Sequence, residues 1–150
     1  MKKLLLAALL SISSLANAVE LGLVSTYNTN TTTVGQGVTL GEKFGDFGIQ
    51  YGFFDSTNNQ GLWQHKSSFT GSYTFYKIDK FAFNVKAGAA YINKQNSTAD
   101  GWTSISGLGT SYAITPDTKL TLDWVHQYTS DHVMSTYNAN IAQAGIKVSF

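Results

Sequence analysis

The stretch YNANIAQAGIKVSF, residues 137–150, decides how this chain folds. In steps of two, Phe150, Val148, Ile146, Ala144 and Ala142 make one apolar face. The intervening Ser149, Lys147, Gly145 and Gln143 are small or polar, and one carries a charge. Side chains alternate sides along a strand, so this order describes a β-strand with one greasy face and one wet face. A soluble sandwich contains such strands too. What separates the possibilities is whether the pattern recurs through the chain.

It recurs. Residues 119–128 set Leu120, Leu122, Trp124, His126 and Tyr128 against Thr121, Asp123 and Gln127. Residues 102–115 are weaker, with Leu108, Tyr112 and Ile114 opposite Gly107, Gly109 and Ser111. Residues 81–93 are the cleanest: Phe81, Phe83, Val85, Ala87, Ala89 and Tyr91 alternate with Ala82, Asn84, Lys86, Gly88 and Ala90. Residues 63–76 oppose Trp63, Phe69, Tyr73 and Phe75 to Gln64, Lys66, Ser68, Thr70, Ser72 and Thr74. Residues 44–54, 31–41 and 19–27 complete a set of eight expected strands. Short turns are expected at Asn28-Thr29-Asn30, Gly41-Glu42-Lys43, Ile78-Asp79-Lys80 and Pro116-Asp117. Longer polar loops are expected at 55–61, 96–101 and 130–136.

Strands of about 10 residues match the lipid-crossing strands of outer-membrane barrels, whose turns are short on one side and long on the other. Aromatic placement agrees. Trp63, Tyr91, Trp102, Trp124 and Tyr128 are expected near the outer ends of their strands, and Phe44, Phe75, Phe81 and Phe150 near the inner ends. Two aromatic rings are what a membrane slab selects, because amphipathic rings settle at its interfaces. A soluble lipocalin-like barrel would bury the apolar set and leave two girdles unexplained.

The front of the chain reads differently. Lys2 and Lys3, then an apolar run from Leu4 to Leu10, then Ala16-Asn17-Ala18 have the order of a signal peptide with its small-residue cleavage site. Residues 1–18 are therefore expected to be a signal peptide, and 19–150 the barrel domain. The apolar run falls short of the roughly 20 residues of a spanning helix. Ten lysines and no arginine balance nine acidic residues without a basic cluster, which argues against nucleic acid as a partner. Cysteine is absent, so neither disulfides nor thiolate metal sites are available. Sheet closure, which leaves no strand edge unpaired, is another route to stability.

On these residues the chain resembles the small eight-stranded outer-membrane β-barrels of Gram-negative bacteria, the OmpA/OmpX-like group. The terminal AGIKVSF, with Ile146, Val148 and Phe150 in alternation, is similar to the assembly signal of that family. GLGTSYAITP, residues 107–116, is similar to its glycine-rich strand and Thr-Pro turn. The resemblance implies an all-β, antiparallel, up-and-down transmembrane barrel in the cell outer membrane. It also implies recognition of the terminal aromatic by the barrel-assembly machinery. Outer-membrane lipids and lipopolysaccharide are the expected surroundings, and a monomer the expected state.

Two sets of residues are candidates for chemistry. Glu20, Lys66, Lys86, Asp123 and Lys147 fall on the lumen side, where an eight-stranded barrel has room only for side chains. They are expected to form a paired charge network that plugs the lumen, in preference to a narrow porin-like path for small solutes. His126 is the sharpest enzymatic candidate, on the lipid side near the outer interface. Lipid A 3-O-deacylases carry a His-x-Ser pair on this strand and a Glu on the next; here those positions hold Tyr128 and Asn140. Two of the three parts of a triad are thus missing, with Ser130 an unorthodox substitute for the nucleophile. His65, beside Trp63, and His132, beside Asp131, make no convergent metal set, and no cofactor fingerprint occurs. The expected role is therefore structural or surface-interactive, with lipid A modification as the alternative.

Overall fold

The computed structural model describes residues 18–57, 63–94, 100–129 and 137–150. The leader expected at 1–18 lies outside them apart from Ala18, as do 58–62, 95–99 and 130–136 of the loops. Eight strands follow in order: β1 Ala18–Asn28, β2 Thr33–Phe44, β3 Phe47–Thr57, β4 Trp63–Ile78, β5 Phe81–Lys94, β6 Gly101–Ala113, β7 Thr118–Thr129 and β8 Tyr137–Ser149. Each pairs antiparallel with the next, and β8 returns to β1, running from Glu20↔Ser149 to Asn28↔Ile141. Closure leaves no free edge for another chain to extend. At the seam the Phe150 N–H donates to the Val19 carbonyl at 2.9 Å, and the Val19 N–H donates back at 3.4 Å. The terminal aromatic is thus held by backbone while its ring stands 79% exposed.

Alternation sets the faces as the sequence implies. Leu21, Leu23, Val38, Leu40, Tyr51, Phe53, Leu108, Leu120, Leu122 and Ile146 all point outward and are exposed, whereas Thr39, Ser68, Thr70 and Asp123 are buried in the lumen. A surface with this much exposed aliphatic and aromatic area is covered by lipid, not by water. Cross-strand rings reinforce it at the inner end: Phe47–Tyr73 and Phe81–Tyr112 lie 4.8 and 4.9 Å apart, centroid to centroid. Towards the outer end, Tyr91 and Trp102 meet edge-on at 5.4 Å.

Several boundaries differ from expectation. Gly41-Glu42-Lys43 is not a return but part of β2, pairing with Gln50, Ile49 and Gly48. The reversal comes later, at Gly45-Asp46, where Gly45 has φ +63, a conformation glycine adopts without steric cost. Phe44 therefore ends β2 opposite Phe47 instead of opening β3. Asp55 and Gly101 belong to strands β3 and β6, not to loops. The ladder between β4 and β5 slips between Thr74 and Tyr76, so Phe75 is the extra residue of a bulge. Phe75 and Tyr76 are both exposed as a result, adding a ring to the inner girdle. Trp124 sits near the middle of β7, opposite Leu108 and Ala142, inside the apolar band and not at its outer edge. Trp63 opens β4 opposite Thr57, at the outer end as expected.

At the inner rim Lys77 donates to Asp46 at 2.5 Å across the turn. This bond, with the nearby positive charge, holds the Asp46 carboxyl below its usual range. Both side chains are half exposed, so the pair organises the rim more than it stabilises the fold.

Candidate functional site

The lumen has two layers, and only one of them is ionic. The inner layer surrounds a space of about 60 Å³ whose lining includes Glu20, Gln50, Lys86, Lys119, Asp123 and Lys147. Lys86 of β5 donates to Asp123 Oδ2 of β7 at 2.5 Å, with both side chains at least nine-tenths buried. The bond passes over β6, and Gly109 is why it can. A Cβ at that position would meet the Asp123 carboxylate and the Asn84 amide oxygen. The glycine-rich segment of β6 thus serves charge pairing as well as packing.

Lys119 and Lys147 stand directly opposite each other in the β7–β8 ladder. Like charges in that position repel unless something lies between them. Glu20 does this, accepting from Lys119 through Oε1 and lying 4.0 Å from Lys147 through Oε2. Lys147 also donates to Gln50 Oε1. Lys119, the first residue of the expected seventh strand, is the member that the sequence reading left out of the network; its pairing with Glu20 shows only once β8 closes on β1.

Lys66, the fifth residue of the expected network, is elsewhere. It faces the lumen between Phe54 and Ile92 of the neighbouring strands, with its Nζ 4.6 Å from the Phe54 ring centre. Among the described residues no carboxylate lies within 4.0 Å of it. Its surroundings form the outer layer, which is mainly apolar: Val24, Phe54, Ala90, Ile92, Ile105, Val125, Ala139 and Ile141 are all buried, with the polar Thr26, Asn28, Thr33, Ser56 and Gln64 to one side of Lys66. Gln127 is buried among them, and its Oε1 has no partner among the described residues. The expectation of a plug made throughout of paired charges is corrected to half a plug. Close-packed aliphatic side chains fill the rest.

On the outside, His126 lies where expected, facing lipid near the outer end of β7. Its Nδ1 is 3.0 Å from Asn140 Oδ1. That distance is within hydrogen-bond reach, so the Asn140 amide orients the ring. Ser106 of β6 stands opposite His126 on the other side, and Asn140 of β8 completes a row of three. Sequence reasoning sought the hydroxyl two residues along the same strand and missed one across the ladder, which only register reveals. Among the described residues the row has no oxyanion hole: the backbone around Ser106 is engaged in the β6 ladders with β5 and β7. Ser130, the other candidate, lies outside the described residues, as does His132. His65 points outward and meets Asp55 at 2.5 Å, an exposed pair on the outer half of the wall. Among the described residues no three His, Cys, Asp or Glu side chains converge to hold a metal.

Comparison with known proteins agrees with this architecture. No family model matches the sequence, and no curated protein matches it. Solved structures do. The N-terminal β-barrel domain of Pseudomonas aeruginosa OprF is similar with a TM-score of 0.69 at 18% identity, covering 90% of this chain and 98% of that one. The Yersinia pestis outer membrane protein Ail, in a phospholipid bilayer nanodisc, gives 0.58 at 11%, covering 89% and 99%. Neisserial surface protein A gives 0.57 at 15%, covering 89% and 95%. At these identities the likeness is one of fold.

Proposed function

We propose that this eight-stranded transmembrane barrel, which shares its fold with small outer-membrane barrels, is a non-enzymatic protein of the Gram-negative cell envelope. It anchors in the outer membrane, reached by way of the 1–18 leader, and acts through the segments it holds at its outer rim. The observation that carries this reading is the filled lumen. An apolar outer layer over an ion-paired inner layer leaves no continuous water column for solutes, which argues against a porin-like role. What remains for function is the wall, which meets lipid and lipopolysaccharide, and the rim. The terminal Ile146, Val148 and Phe150 fit recognition by an assembly machinery, since all three lie on the outward face of the closing strand.

A second reading has one observation in its favour: the Ser106–His126–Asn140 row near the outer interface. A serine hydrolase of lipid esters needs a nucleophile, an oriented base and oxyanion donors. The row offers the first two and, among the described residues, lacks the third, so we retain the scaffold reading. Mass spectra of lipid A from cells with and without the protein separate the two. An unchanged acyl pattern is the expected result. Loss of an acyl chain that disappears with His126→Ala or Ser106→Ala overturns the scaffold reading in favour of the enzyme.

A further inference from the structure

Three of the lumen lysines, at positions 86, 119 and 147, are served by the buried carboxylates Glu20 and Asp123. Both acids are consumed in the inner layer: Asp123 by Lys86, and Glu20 by Lys119 and Lys147. Lys66 is left alone in the apolar layer, 8% exposed. A buried ammonium without a counter-charge is strongly disfavoured, and the ring of Phe54 offsets only part of that cost. Beside it is a small space of about 30 Å³, lined by Thr26, Asn28, Thr33, Ser56, Gln64 and Lys66, with Phe54 and Ile141 as walls.

The lining is rich in donors. Thr26 and Ser56 bring hydroxyls and Gln64 an amide, while the Thr33 hydroxyl is engaged with Thr31. Asn28 accepts the Asn30 N–H through Oδ1 at 3.0 Å, which leaves its NH₂ group for the cavity. A space of this volume takes one or two water-sized particles and no more. Water satisfies the dipoles but leaves the charge uncompensated. A polyatomic anion such as sulfate, or a lipid phosphate with its substituents, is too large. A monatomic anion fits both the charge and the room.

We propose that Lys66 and the hydroxyl and amide groups around it form a binding site for one small monovalent anion, chloride under physiological conditions, inside the outer half of the barrel. The anion completes the plug by neutralising a deeply buried lumen cation that no described carboxylate pairs.

The test is thermal unfolding of the folded full-length barrel in detergent, with sodium chloride exchanged for sodium gluconate at constant ionic strength. The wild-type midpoint is expected to rise by about 4 °C for each tenfold increase in chloride above its dissociation constant. Lys66→Met, which keeps the stem and removes the charge, is expected to be indifferent to the exchange. The site is ruled out if the wild type responds equally to chloride and gluconate, or if Lys66→Met keeps the chloride response. Sulfate acting as well as chloride at matched ionic strength also overturns it, because sulfate cannot enter. If Lys66→Met does not fold, crystals of the wild type soaked in bromide decide. An anomalous peak beside Lys66 Nζ is expected, and its absence refutes the site.

Discussion

Asp123→Ala is expected to destabilise the barrel by about 3–5 kcal/mol, the cost of leaving a buried charge without its partner. Lys86 is enclosed and has its ammonium on Asp123 Oδ2. Without that carboxylate, Lys86 loses its ion-pair partner, and Glu20, already shared by Lys119 and Lys147, is the carboxylate left within ion-pair distance of lumen ammoniums. The double variant Lys86→Met/Asp123→Leu removes both charges and fills similar volume. It is expected to recover most of the loss, since a buried ion pair contributes little over a well-packed apolar pair. Urea unfolding of the reconstituted barrel reads both. If Asp123→Ala unfolds at the wild-type midpoint, Lys86 finds another counter-charge and the inner layer is not the closed network described.

Leu108→Arg is the second large effect. Leu108 is 61% exposed and opposes Val85 and Trp124 in the middle of the outward band. In a water-soluble barrel such an exposed position tolerates substitution within about 0.5 kcal/mol. In a bilayer, arginine near the midplane of a barrel's lipid face costs about 2–4 kcal/mol. The loss is therefore expected in lipid vesicles, measured as a shift of the unfolding midpoint at unchanged slope. A placement of Leu108 against solvent predicts no shift.

How much of this was legible in the sequence follows from what each feature depends on. The outward face was readable because a period of two is local: Phe81, Phe83 and Val85 announce their side without any knowledge of the neighbours. Strand ends were not. Gly41-Glu42-Lys43 has the composition of a turn, but Glu42 and Lys43 continue the ladder because Gly45 makes the reversal two residues later. The apolar outer layer was hidden for a different reason. Val24, Phe54, Ile92, Ile105, Val125 and Ile141 interrupt the polar face of six strands, and each alone looks like an irregularity. Only closure at the observed register brings them together in one half of the lumen. The same register separates Lys66 from the acids and places Ser106 beside His126. Charge type and face could be read from the residues, whereas height in the barrel could not.

The lumen is closed to a continuous water column, by ion pairs in the inner half and mainly aliphatic packing in the outer. Single-channel recording of the purified barrel in planar bilayers tests this most directly. A filled lumen predicts insertion without steady current steps. Reproducible ohmic pores, growing in proportion to salt concentration, contradict it.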